Sequence, residues 1–313
     1  MTPRICLSPL MRSKRLSLLA AALCIALSAC GKGSDQSSVM PADALIDAPA
    51  SSQDKDYLDT ISANPFCAHA LGGIDGCIYT NSLEALWRSY EGGVRIFEAD
   101  IHLTSDGQAV LVHGFKQNDF LKRIGEQYYP EGYKKSGEDY IPTHKEFMSY
   151  EIQGQFQPLD FKMLADFIKN HNDIYVLADV WAQDYDDTKK VYTAMCEACG
   201  YDPEVLDHII AGGHTKAMIY AVKNVYDFKL LNLYYSDEII TESFTADDFI
   251  SFCHEQGIQS YSCADSYFTV ERFEKLKEGG LISYVFTVDD PERARVLNAC
   301  GVDVIGSNTL RNF

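Results

Sequence analysis

The stretch Val94-Arg95-Ile96-Phe97-Glu98-Ala99-Asp100-Ile101, with the continuation Leu103-Thr104-Ser105-Asp106-Gly107 and Ala109-Val110-Leu111-Val112-His113-Gly114, decides how the chain is read. Its β-branched and aromatic residues predict a strand over 94–101. Side chains alternate across a strand, so Glu98 and Asp100 share one face while the apolar residues between and beside them face the other way. Two adjacent carboxylates repel, and burying them is costly unless a cation lies between them. They look like metal ligands. Asp106-Gly107 is a strong turn signal, so 109–113 is read as a hairpin return rather than a further barrel strand.

Outward from this stretch, strand-like and helical segments alternate from about residue 60 to the end. The expected strands are Phe66 to His69, Val94 to Ile101, Ile174 to Val180, His208 to Gly212, Lys229 to Leu233, Gln259 to Cys263, Ile282 to Thr287 and Val302 to Ile305. Amphipathic stretches at Ser82 to Tyr90, Asp160 to Asn170, Asp187 to Cys199, Thr215 to Asn224, Ala246 to Gln256, Val270 to Glu278 and Pro291 to Ala299 predict the helices between them. Thr245 and Asp290 stand where N-caps belong; Gly200, Gly257, Gly279 and Gly301 stand where helices end. Strand-helix units repeated eight times in about 250 residues predict a closed (β/α)8 TIM barrel. A doubly wound open sheet is the structural alternative. Residues 114–157, crowded with Tyr, Phe, Lys and Gly, interrupt the alternation after the second strand region and are expected to cap the active site.

The 313 residues, 46% hydrophobic and 23% charged, exclude collagen, coiled coil and wholesale disorder. Arg12-Ser13-Lys14-Arg15, the apolar run Leu16 to Ala26 and Leu27-Ser28-Ala29-Cys30 form the three zones of an export signal. The final tetrapeptide resembles a bacterial lipobox, which implies cleavage after residue 29, a lipid on Cys30 and attachment to a membrane outside the cytoplasm. Loss of Arg4, Arg12, Lys14 and Arg15 with residues 1–29 deepens the net charge from −18 to −22. So acidic a protein is not expected to bind nucleic acid. Residues 30–60, rich in Ser, Gly, Pro, Ala and Asp in most of their length, read as a flexible tether. The barrel then occupies 61–313. Beyond Cys30, seven cysteines remain, an odd number that forbids complete pairing within one chain. Cys196 and Cys199 fall near a helix C-terminus, the wrong end for a reactive thiol pair.

Asp179 lies near the end of Tyr175-Val176-Leu177-Ala178-Asp179-Val180, an otherwise apolar strand, and completes a set of three acids. His69 ends the first strand and His113 ends the hairpin strand. All five side chains fall at the C-terminal ends of early strands, the rim where barrel active sites are built. Such a set suits phosphodiester chemistry. A hard divalent ion neutralises phosphate charge, one imidazole removes a proton from the nucleophile, and the other protonates the leaving oxygen.

On these residues the chain resembles the glycerophosphodiester phosphodiesterase family, within the superfamily of phosphatidylinositol-specific phospholipase C-like phosphodiesterases. The resemblance runs through Ala68-His69-Ala70-Leu71-Gly72, Thr80-Asn81-Ser82-Leu83-Glu84-Ala85, Glu98-Ala99-Asp100 and His113-Gly114, then Val285 to Asp290 and Gly301 to Gly306. It implies a metal-dependent barrel hydrolase in which Glu98, Asp100 and Asp179 bind calcium or magnesium and His69 and His113 are the acid-base pair. In the family a neighbouring substrate hydroxyl can attack phosphorus to give a cyclic phosphate that water then opens. The implied substrate is a small phosphodiester or phospholipid headgroup. Four positions depart from the family pattern. Ala70 replaces an arginine, Thr80 a glutamate and Gly114 an aspartate, and Trp181 stands where a phosphate-binding lysine is usual. A replacement cation would have to come from Lys116, Arg123 or Lys145 of the insertion.

A sphingomyelinase D-like phospholipase is the alternative enzyme, because its second histidine can also precede glycine. A non-catalytic lipoprotein that binds a phosphorylated ligand is the alternative outside enzymes. Gly212-Gly213-His214-Thr215 lacks the rest of a phosphate-loop pattern and is read as a strand-helix turn. Tyr128-Tyr129 and Tyr234-Tyr235 are read as packing residues.

Overall fold

The computed structural model describes residues 57–313 except 183, 237, 238 and 242. The export signal, Cys30 and most of the tether lie outside the described residues. Nine strands form one sheet: β1 (Phe66–Ala68), β2 (Ile96–Leu103), β3 (Ala109–Leu111), β4 (Tyr175–Val180), β5 (Ile209–Gly213), β6 (Leu230–Tyr234), β7 (Ser260–Ala264), β8 (Ile282–Phe286) and β9 (Val304–Ser307). The order β1-β9-β8-β7-β6-β5-β4-β2 is closed by a parallel β1–β2 pairing, giving a barrel of eight parallel strands. Helices lie between them, which is the (β/α)8 TIM barrel and not the open sheet. β3 pairs antiparallel with β2 alone, the hairpin return that Asp106-Gly107 signals, with Gly107 at φ 79°.

The eight expected strands fall within two residues of the observed ones because each is a short apolar run fenced by turn residues. Helix ends obey the local rules as well. Thr245 accepts the Asp248 N–H in a capping box, Asp290 accepts from Glu292, and Gly257 and Gly301 take the left-handed conformation that ends a helix.

Two apolar layers result. The larger lies between the outer face of the strands and the helices, with Phe97, Ala99, Ile101 and Val176 among its wholly buried members. The smaller fills the barrel interior with Cys67, Ile96, Leu177, Ile210, Tyr284 and Val304, joined by Tyr57 and Ile61. Those last two belong to a helix over Tyr57–Ala63, and the Tyr57 ring packs at a tilt against Tyr175 at the start of β4 with ring centres 5.0 Å apart. Residues 57–60, just before the expected boundary at 61, thus pack with the barrel. The spacing of Tyr57 and Ile61, one helical turn, puts both apolar side chains on the face that meets the barrel.

Residues 114–157 extend the larger apolar layer, with Phe115, Phe120, Ile124, Phe147 and Phe156 buried in it. They fold as short helical turns, including a π-turn over Phe120–Gly125. All seven cysteines of the described residues are free thiols. Cys196 and Cys199 sit at the end of the helix Tyr185–Ala198, and burial pushes the Cys196 thiol up to about 12, the setting of an inert sulfur.

Candidate active site

The barrel register brings the acids together. Asp100 on β2 and Asp179 on β4 are direct Cα partners, so both side chains take the same, inward face, with Glu98 two residues earlier on β2. One oxygen from each of Glu98, Asp100 and Asp179 lies within 4.8 Å of the others. All three residues are buried, Asp179 the least, with 13% of its side chain exposed.

Each acid is held differently. Glu98 Oε2 accepts the Ala70 N–H at 2.6 Å, while Oε1 is buried without a hydrogen-bond partner. Ala70 and Leu71, at φ 49° and 64°, occupy the left-handed region that costs a non-glycine residue roughly 1–2 kcal/mol, and this bend delivers the N–H. Asn81 grips Asp100 twice: its Nδ2 donates to Oδ2 at 2.8 Å, and its Oδ1 accepts the Asp100 N–H at 3.2 Å. Asp179 Oδ1 accepts from His214 Nε2 at 2.8 Å, and the His214 ring stacks on Tyr234 at 3.8 Å.

Electrostatics follow. Burial, then the charges of Asp100 and Asp179, hold the Glu98 carboxyl well above the usual range. Burial and Asp179 likewise raise Asp100. Burial also acts upward on Asp179, yet the hydrogen bond and charge of His214 and a bond from Tyr234 outweigh it and hold that carboxyl low. Three acids that cannot comfortably ionise together, with one oxygen left unpaired, form a hard oxygen donor set that fits a calcium- or magnesium-sized ion.

The imidazoles flank this group. His69 Nε2 lies 3.9 Å from Glu98 Oε2. Its Nδ1 is 3.0 Å from Asn308 Oδ1, and Asn308 Nδ2 donates to Asp289 at 2.8 Å. That second bond orients the amide so that its oxygen faces the ring; Nδ1 therefore carries the proton and Nε2 is left free. His113 Nδ1 faces Asp119 Oδ1 at 3.5 Å. Tyr79 separates the two rings, meeting His69 edge-on at 4.8 Å and His113 at 5.3 Å.

A family model for glycerophosphoryl diester phosphodiesterases matches residues 73–311. The chain belongs to that family. This family member is accordingly a phosphoric diester hydrolase. Solved structures agree in fold. A phosphodiesterase of Oleispira antarctica in complex with the product sn-glycerol-3-phosphate has 15% identity and a TM-score of 0.59, over 80% of this chain and 95% of that one. A glycerophosphodiester phosphodiesterase of Parabacteroides distasonis has 15% identity and a TM-score of 0.59, over 78% and 93%. One from Thermotoga maritima has 15% identity and 0.55, over 79% and 96%. Among curated protein sequences none matches the chain.

The structure thus gathers all five side chains singled out in the sequence, and it adds Asn81, His214, Tyr234, Asn308, Asp119 and Tyr79. Asn81 stood inside the motif stretch and signalled itself only there. In the sequence His214 reads as part of a turn and Tyr234 as packing; both are partners of Asp179. Asn308 and Asp119 gave no local signal, because they act across 239 and 6 residues of chain respectively.

The departures from the family pattern also acquire places. Ala70 is wholly buried. Trp181 is 52% exposed and lies between His113 and His214, at 5.8 and 5.6 Å. A side chain begun at Gly114 would meet Asp119 Oδ2 at 3.7 Å, so the carboxylate of Asp119 already stands beside the position where the motif would carry its own.

Proposed function

We propose that this enzyme hydrolyses glycerophosphodiesters in a reaction that depends on calcium or magnesium held by Glu98, Asp100 and Asp179, with His69 and His113 as the acid-base pair. The observation that carries the reading is the buried trio of acids within 4.8 Å of one another, with the free Nε2 of His69 3.9 Å from Glu98. When bound, the ion supplies positive charge against the phosphate oxygens and against the charge that develops on them. His69, its Nδ1 proton committed to Asn308, offers Nε2 as the base toward the attacking hydroxyl, either a substrate hydroxyl beside the phosphate or water. His113 carries the opposite role. Asp119 offsets the charge of its protonated ring, which then delivers a proton to the leaving oxygen. Tyr79 keeps the rings apart, so that one addresses the nucleophile and the other the leaving group. Each proton transfer contributes on the order of 10²- to 10⁴-fold.

The family match favours glycerophosphodiesters over the sphingomyelinase D-like reading. The deciding assay incubates the full chain with glycerophosphocholine, glycerophosphoethanolamine and lysophosphatidylcholine, each with calcium, magnesium or chelator. Release of sn-glycerol 3-phosphate that stops with chelator supports the proposal. Choline release from lysophosphatidylcholine alone supports the phospholipase, and ligand-induced stabilisation without product supports a binding protein. Leu27-Ser28-Ala29-Cys30 supports export and a lipid anchor on Cys30. Mass spectrometry of the membrane-extracted protein tests this: an N-terminal peptide that begins at Cys30 and carries a diacylglyceryl mass is expected, and an unmodified terminus elsewhere removes the anchor.

A further inference from the structure

The insertion brings a cation to the site. Arg123 and Asp119 are one helical turn apart, with Arg123 Nε 3.1 Å from Asp119 Oδ1 but off the line of a hydrogen bond. The guanidinium carbon sits 3.7 Å over the ring of Tyr79, the same ring that meets His69 and His113 at its edges. Nε and Nη1 are closed off from solvent without an acceptor, which leaves Nη2 as the nitrogen a ligand can meet, and the side chain as a whole is 16% exposed. An ionised group shut in with unmade hydrogen bonds is costly, because desolvation is not repaid. Its nearest anion is shared: Asp119 also faces His113. A phosphodiester monoanion arriving between the imidazoles supplies an acceptor for Nη2 and a second negative charge beside the shared Asp119.

Among the described residues no other lysine or arginine contacts Tyr79, His69 or His113. Position 70 is a buried alanine and position 181 a tryptophan. Lys116 and Lys145 are exposed and make no ion pair or ring contact with the site residues among the described residues. We propose that Arg123 binds a non-bridging phosphate oxygen of the substrate, with Tyr79 as the platform under its guanidinium and Asp119 as the strut that holds it. The phosphate grip that the motif has lost at 70 and 181 is thereby supplied from the insertion. This rests on the phosphodiesterase reading above.

The test compares the full-length wild type, Arg123→Ala and Arg123→Lys. With glycerophosphocholine, Arg123→Ala should lose about 10- to 100-fold in kcat/KM, the worth of one charge-assisted hydrogen bond. Inhibition by sn-glycerol 3-phosphate should weaken by a similar factor, Arg123→Lys should recover part of both, and added ethylguanidinium should rescue the alanine variant. Melting curves of the variants guard against unfolding, and rescue by ethylguanidinium cannot come from a misfolded site. A kcat/KM within threefold of wild type, with unchanged product inhibition, overturns the proposal. A wild type without turnover counts against the phosphodiesterase reading instead. In that case calorimetry with sn-glycerol 3-phosphate judges Arg123 alone: loss of binding in Arg123→Ala upholds it, and equal binding overturns it.

Discussion

Replacing Glu98 by Gln should stabilise the metal-free protein and remove its response to metal. In the structure Oε2 accepts the Ala70 N–H, whereas Oε1 is buried beside Asp100 and Asp179 with nothing to pair it. A glutamine keeps the first bond through its carbonyl oxygen and turns its amide N–H groups toward the two remaining carboxylates. Two full charges 4.8 Å apart repel by about 3.5 kcal/mol at an effective dielectric of about 20. The wild type escapes part of this because burial, then the charges of Asp100 and Asp179, raise the Glu98 carboxyl well above the usual range. The net gain is therefore on the order of 1–3 kcal/mol, or about 3–10 °C in Tm for a domain of this size. The assay is thermal unfolding of wild type and Glu98→Gln at pH 7, in chelator and in a calcium or magnesium series. At 100-fold excess over Kd the wild type should rise by about 2.7 kcal/mol, while the variant should stay flat. A Glu98→Gln protein that melts below wild type in chelator, or that gains as much from the ion, would refute the reading of these acids as a mutually repelling ligand set.

Burial, opposed only in part by its bond to the His113 carbonyl, lowers the His102 pKa from an ordinary 6.5 to about 4. Between those values the unfolded chain binds the proton and the folded one does not, so stability rises with pH across the window and up to ~3 kcal/mol is lost on going from pH 7 to pH 4. Urea unfolding at several pH values should show that slope and His102→Gln should flatten it; identical slopes would remove His102 as the cause. Asn308→Leu frees the His69 tautomer and should lower kcat by about 10- to 100-fold with KM little changed, as expected when a proton transfer is misoriented. An unchanged kcat would mean that Asn308 does not set the proton on His69. Trp181→Lys replaces a half-exposed ring by a cation at the rim and should lower KM for glycerophosphodiesters severalfold at a stability cost within about 0.5 kcal/mol. A raised KM would show that the indole itself receives the substrate.

The barrel was legible because each strand is an apolar run between breakers, and period and punctuation are local properties of sequence. The five central side chains were legible for a related reason: acids and histidines at strand ends are out of place in apolar runs, and the barrel closes such positions onto one rim. The supporting residues lacked any such contrast. His214 follows two glycines and looks like a turn; only the β4–β5 neighbourhood shows that it faces Asp179. Asp119 and Arg123 sit in a polar segment where charges are ordinary, and their placement depends on Phe120 and Ile124 anchoring the intervening turn in the larger apolar layer. The same anchoring separates two explanations of the altered motif. A pocket that had merely decayed would lose its carboxylate at 114 and its cation at 70 without recovery. Here the carboxylate of Asp119 lies 3.7 Å from where a side chain at Gly114 would start, and a guanidinium from the same turn covers the ring between the imidazoles. On the proposed reading the insertion supplies, through Asp119 and Arg123, the charge that positions 114 and 70 do not carry, which strand-end motifs alone would not show.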